Sequence, residues 1–435
     1  MNHFRNLFKN KEVKNASWII GGHIAQMVLS FVVSIFTTRF LGPSNFGILN
    51  YAQSYVTFFS AFCTLGIGSV IIKIFVDDPN NEGETIGTAL LLRIIASILS
   101  AVMIVGIVSL VDKDESITII VATLSSIALV FQIFDTFNYW FQSRYQSKVS
   151  SIATLIAYAI VSIYKITLLI LGKSVVWFAF SNSVDYICIA FVLFIAYKKN
   201  NGPKLKFSIE KAKIIISQSY HYILSGMMIS IYSQTDKFML KQMMDDASVG
   251  FYSLATQINT MWTFVLGAVI NSLTPTIINL YKNSKESYER KNKQLYAIVI
   301  YLSVFVALVF TLFGKTLICL VYGESYAPSA EPLKIVTWYV IFSYLGVARN
   351  AWIVCENKQK YLKYMHCGAA ITNVIMNLLF IPKWGAIGAA TASLITQILS
   401  TILLPMLIPE MRYNVKLMVE ALVLKNVFGD NKKSK

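Results

Sequence analysis

The sequence predicts an all-α protein that crosses a membrane many times, and three observations carry that reading. Of its 435 residues 56% are hydrophobic and 14% charged, with a mean hydropathy of +0.59. A soluble chain has about 25% charged residues. The apolar residues fall in long blocks without amphipathic alternation, as membrane helices of about 20 residues require. Lys and Arg, finally, are shared unequally among the segments between the blocks.

Twelve apolar runs follow in order, at about 17–39, 48–74, 86–111, 117–141, 149–171, 175–197, 215–236, 249–277, 295–313, 334–355, 361–381 and 384–408. The polar, basic start of the chain does not look like a removable leader, so the first run is expected to stay. Gly42-Pro43 ends it, because proline cannot continue a helix and glycine tolerates strained dihedrals. The polar stretch KKNNGPKLKFSIEKAK (198–213) falls after the sixth run and divides the chain into 1–200 and 201–435, with six runs each. The halves echo each other. FGILNYAQSY aligns with VGFYSLATQI, Gly47 on Gly250 and Ala52 on Ala255, and Trp140/Lys148 share the spacing of Trp352/Lys360. The longest outer segment, around 313–333, holds short turns bounded by Gly323 and Pro328 and is too small for a folded domain. Function is therefore expected within the helices.

With both termini cytoplasmic, the inner segments hold 27 Lys and Arg and the outer ones 8, with three more inside helices. That bias follows the positive-inside rule. The net charge of +16 then reports topology and affinity for anionic membrane lipids; no nucleic-acid partner is expected. The five cysteines lie in or beside apolar runs without metal-ligand or paired spacing and read as small packing residues. No phosphate loop, GxSxG elbow, HExxH or clustered histidines occur, so no ATP motor, metal site or catalytic residue is expected. The aromatic cluster FNYWFQSRYQS (137–147) reads as an interfacial belt in preference to a sugar-stacking platform.

Ionisable groups inside membrane helices cost several kcal/mol and mark candidate sites. Arg93, Lys165 and Arg349 are the three buried cations; Asp185 lies mid-run, with Asp135 and Asp236 in runs of their own. Snorkelling of long side chains to the headgroups is one explanation for the cations. Asp185 is too short to snorkel and needs protonation, water or a partner such as Lys165. The alternative is a hydrated, cation-lined interior suited to an anionic cargo such as a pyrophosphate headgroup. Lys73, Arg144 and Lys148 would then mark a basic cytoplasmic mouth or be solvated surface charge. Arg39 either caps carbonyls at the outer membrane face or helps close an outer gate.

Five stretches together resemble a known family: TRFLGPSNFGILNYAQS, FNYWFQSRYQSKVSSIA, LSGMMISIYSQTDKFMLKQMMDDASVGFYSLATQI, LVYGESYAPSAEPLKI and NLLFIPKWGAIGAATASLITQ. They are similar, in this order, to the Wzx-type polysaccharide flippases of the multidrug/oligosaccharidyl-lipid/polysaccharide exporter superfamily. The resemblance implies twelve transmembrane helices in two six-helix bundles around a central cavity, a MATE-like fold in the inner membrane. It implies transport, with no cofactor, of undecaprenyl-pyrophosphate-linked oligosaccharide by alternating access for O-antigen, capsule or exopolysaccharide synthesis. A polysaccharide polymerase and a chain-length regulator would be partners. Arg93, Lys165, Arg349 and Arg39 would serve the substrate, and Asp185 or Asp236 an H⁺ or Na⁺ coupling ion. The same residues leave room for a drug exporter or peptidoglycan-precursor flippase of that superfamily, or a membrane glycan polymerase.

Overall fold

A computed structural model describes residues 11–427. Every described element is helical. Helix α1 (Lys11–Cys63) has 53 residues. Straight, it would reach about 80 Å at 1.5 Å per residue, against an apolar bilayer core of about 30 Å. The chain breaks its direction at Gly42, φ 70° and ψ 171°, directly before Pro43. The Gly-Pro pair therefore acts as the sequence suggests, although it interrupts the helix at one residue without opening a loop.

The apolar run 48–74 is not one helix. After α1 ends at Cys63 a turn containing Leu65 (φ 50°) and Gly66 (φ 56°) intervenes, and α2 (Gly68–Asp77) follows. The run 117–141 breaks similarly, between α4 (Ser116–Gln132) and α5 (Asp135–Ser143), after α3 (Glu82–Val111). Helices α6 (Ser147–Ile170) and α7 (Val175–Lys199) complete the first half. Next come α8 (Ile209–Met243), α9 (Asp246–Asn283), α10 (Lys285–Tyr322), α11 (Ala330–Cys355), α12 (Leu362–Trp384) and α13 (Ala386–Ile398). A π-helical turn at Leu399–Leu403, the short α14 (Leu404–Leu407) and α15 (Arg412–Leu422) close the described chain. Among the described residues, ten helical segments are long and apolar enough to cross a membrane, by length and composition. This count differs from the twelve apolar runs at two places: the first two runs share α1, and α11 (Ala330–Cys355) is not among the ten. The expectation of an all-helical, polytopic membrane fold is thus borne out.

The chain forms two compact units, Met1–Gln234 and Thr235–Lys435. The core of the first gathers Ile67, Ile71, Phe75, Ile86, Phe137, Trp140, Phe141 and Tyr197 around the two helix breaks. Three aromatics of the cluster are thus core and not an interfacial belt: Phe137, Trp140 and Phe141 are each 0% exposed, while Tyr145 is 56% exposed. A buried acceptor explains why. The Trp140 Nε1–H donates to Glu82 at 2.8 Å, and Arg144 bonds the same carboxylate oxygen at 2.6 Å.

The polar linker lies inside this first unit. Its extended residues 202–208 run over the start of α3, where the Lys206 N–H donates to the Gly83 carbonyl at 3.1 Å and the Ser208 N–H to Thr88 Oγ1 at 2.9 Å. A Cβ on Gly83 or Gly87 would stand 2.3 Å from the carbonyl oxygen of Lys204 or Lys206, respectively. Only glycine admits that approach. The core of the second unit contains Leu295, Tyr296, Val299, Leu345, Ala348, Trp352 and Met365, and the inner face of α15 closes onto it.

Candidate functional site

In the first unit Arg93 joins the two breaks. It is 1% exposed. Its Nε donates to the Cys63 carbonyl at 3.3 Å, one terminal nitrogen to the Ile133 carbonyl at 3.1 Å and Thr136 Oγ1 at 2.9 Å, and the other to the Gln132 carbonyl at 3.1 Å. Cys63 and Gln132 end α1 and α4, where the last carbonyls of a helix have no partner along the chain. Both helix ends carry partial negative charge that favours a guanidinium, and Asp135 adds an opposing charge through space. Arg93 therefore faces the interior of its own unit and bonds backbone. That occupation has a physical reason: two interrupted helices supply carbonyls that a membrane interior leaves no water to satisfy.

A polar cavity of about 220 Å³ lies elsewhere in the same unit. Thr37 and Asn50 line it from either side of the Gly42 kink, with Gln53, Lys165, Asn182 and Asp185. Asn182 donates to the Gln53 side chain at 3.1 Å. Lys165 and Asp185 influence one another electrostatically, yet among the described residues Lys165 closes no ion pair. The Asp185 Oδ1 is buried without a hydrogen-bond partner. Here an ammonium, a carboxylate and several amides and hydroxyls face one space within apolar helices.

In the second unit Asp236 is 5% exposed and accepts four hydrogen bonds. Its Oδ1 takes Asn373 at 3.0 Å and Asn377 at 2.7 Å; its Oδ2 takes Ser393 at 2.5 Å and the Tyr252 hydroxyl. Asn377 Oδ1 is buried with no donor. Helices α8, α9, α12 and α13 each contribute to this cluster. The spacing of Asn373 and Asn377, four residues apart on one helical face, was the sequence signal for it and was missed.

Arg349, 5% exposed, donates to the Thr401 carbonyl at 3.1 Å. Thr401 belongs to the π-helical turn, a geometry that disturbs the regular i→i−4 ladder. Thr401 Oγ1 in turn donates to the Phe342 carbonyl at 3.0 Å. The Arg349 Nε is buried without a partner. Arg39 and Lys73 are exposed. Lys148 stands 5.2 Å from the ring centre of Trp18, and Arg144 lies 4.5 Å over Trp140 while bonded to Glu82. Of the residues singled out by sequence, Lys165 and Asp185 share a cavity, Asp236 and Arg349 occupy separate places in the second unit, and Arg93 holds helix ends.

The architecture is that of known multidrug and lipid exporters. An inward-facing multidrug resistance MATE family transporter matches with a TM-score of 0.70 at 14% identity, over 91% of this chain and 96% of that one. The lipid II flippase MurJ, inward closed, matches with 0.68 at 14% identity, over 96% and 94%. The capsular polysaccharide biosynthesis protein CapF of Staphylococcus aureus is 22% identical over 403 residues, 90% of this chain and 97% of its own. A putative O-antigen transporter of Shigella flexneri is 22% identical over 420 residues, 92% and 98%. The family model described as "Polysaccharide biosynthesis protein" matches residues 13–281, and the chain belongs to that family. A second model, the N-terminal domain of protein O-mannosyl-transferase TMEM260, matches residues 238–394, about a third of the chain. The family resemblance read from the five sequence stretches is borne out.

Proposed function

We propose that this protein is a flippase that moves undecaprenyl-pyrophosphate-linked oligosaccharide repeat units across the cytoplasmic membrane by alternating access. The observation that carries the reading is the polar cavity of the first unit. Holding Lys165 and Asp185 inside membrane helices is costly. A cation without an ion pair, beside amides and hydroxyls, suits a phosphorylated, hydroxyl-rich cargo. The polyprenyl tail stays in lipid while the headgroup and sugars exchange water for these side chains.

Arg39, Lys73, Arg144 and Lys148 attract the anionic headgroup at the membrane faces. Arg93 acts as a positioning residue by holding the broken helices. The Asp236 cluster takes the coupling ion, H⁺ or Na⁺: the carboxylate and the spare oxygen of Asn377 offer acceptors to a cation, and a proton there would release one of the four donors. Asp185 is the second candidate for that role.

The test is deletion and complementation in the native host, scoring surface polysaccharide and cytoplasmic lipid-linked repeat units. Loss of the gene removes the surface glycan and builds up the lipid-linked units. Lys165→Met reproduces most of that loss with normal protein levels. Unchanged surface glycan in the deletion strain overturns the reading. Glycan elongation by the purified protein would instead favour a transferase, the activity named by the O-mannosyl-transferase model that matches residues 238–394.

A further inference from the structure

The outer face of α15 is used by nothing described so far. Its inner face is firmly held. Asn414, 0% exposed, donates to the Tyr296 hydroxyl at 2.7 Å; Lys293 pairs with Glu420 at 2.5 Å; and the Tyr301 hydroxyl donates to the Leu422 carbonyl at 2.8 Å. Val415, Leu417, Met418 and Ala421 are buried beneath. The helix therefore presents a fixed outward stripe. Arg412, Lys416, Val419 and Val423 follow at spacings of four, three and four residues, all exposed, so they stand above one another on one face.

Alongside this stripe runs an apolar cleft of about 470 Å³, lined by Met406, Val415 and Val419 with Arg412, Lys416 and Glu420. The cleft begins where the last apolar segment, Ala386–Leu407, ends, with Met406 50% and Leu407 73% exposed. Glu420 is neutralised by Lys293. Among the described residues Lys416 makes no ion pair, and Arg412 spends only its Nε, on the Met406 carbonyl at 2.8 Å. The cleft thus has a greasy floor, two available cations and a position at the end of a membrane-crossing segment.

We propose that this cleft binds an anionic phospholipid of the adjoining leaflet. Arg412 and Lys416 hold the headgroup phosphate, and one acyl chain lies along Met406, Val415 and Val419. A zwitterionic lipid offers the same tail and no net charge, so selectivity comes from the two cations. Each basic residue near an anionic surface is worth about fivefold in binding, and the pair about 25-fold. The occupancy is independent of what the protein transports.

The test is native mass spectrometry of the full-length protein released from bilayers of phosphatidylglycerol mixed with phosphatidylcholine. Wild type retains phosphatidylglycerol preferentially, and the preference falls as salt is raised. R412Q/K416Q lowers it about 25-fold, R412K/K416R keeps it, and all three melt alike in phosphatidylcholine alone. Equal retention of the two lipids by wild type overturns the proposal, whether or not the double variant folds. Displacement of the lipid by millimolar inorganic phosphate also overturns it, since the site would then be one for a free anion.

Discussion

Replacing Arg93 by Met tests whether the broken helices depend on one side chain. Among the described residues, the carbonyls of Cys63 and Gln132 receive side-chain hydrogen bonds only from Arg93, at 3.3 and 3.1 Å; the Ile133 carbonyl also receives the Thr136 hydroxyl at 2.8 Å. Methionine fills much of the volume and leaves one buried and one part-buried carbonyl without its side-chain donor. At about 1–3 kcal/mol for each orphaned acceptor, the loss is about 2–6 kcal/mol. The lower end applies where water reaches the turn at 64–67. Arg93→Lys keeps the charge, but an ammonium on a single stem does not span acceptors on two separate helices, so it recovers less than half. The assay is thermal unfolding in one defined detergent, with hydrogen exchange read on peptides covering 60–70 and 130–140. The expected result is a lower melting temperature and faster exchange in both peptides together. Unchanged exchange at either break refutes the account of Arg93 as the common cap.

Gly87→Ala places a methyl 2.3 Å from the Lys206 carbonyl oxygen and should lift the linker from α3, seen as new protease cleavage within 202–208. Asp236→Asn should remove any dependence of export on the H⁺ or Na⁺ gradient while leaving the protein folded, measured as transport in vesicles with each gradient imposed separately. Lys293 holds the Glu420 carboxyl below its ordinary value of 4.5 by hydrogen bonding and charge. A depressed carboxylate stabilises the fold above that ordinary value and loses its contribution as pH falls through the lowered one. Glu420→Gln should accordingly flatten the decline in melting temperature of the second unit below about pH 4.5 and lower the neutral-pH value slightly.

The membrane class, the succession of spans and the Gly42-Pro43 kink were legible because each rests on local composition or on a residue with one conformational habit. The helix breaks were not. Residues 63–67 read Cys-Thr-Leu-Gly-Ile, apolar enough to continue a span, and Leu65 in a left-handed conformation has no sequence signature. What licenses both breaks is a guanidinium from α3, 30 and 39 residues from the carbonyls it bonds. Arg93 could be recognised as an unusual membrane residue, but its acceptors depend on tertiary packing. The same holds for Arg144, a solvated cation by sequence, whose partner Glu82 lies 62 positions away. Asp236 was visible as a buried charge; its polar surroundings come from three other helices and were not.

The docking of residues 202–208 changes what a connector means in this chain. A stretch rich in Lys, Asn and Gly would ordinarily be a slack leash, free to lengthen. Here its backbone is stitched to α3 and no spare length remains before Ile209. A displacement of this stretch pulls directly on α3 and on the start of α8, so an epitope tag spliced into 202–208 should jam the protein where one placed after Asn283 would be tolerated.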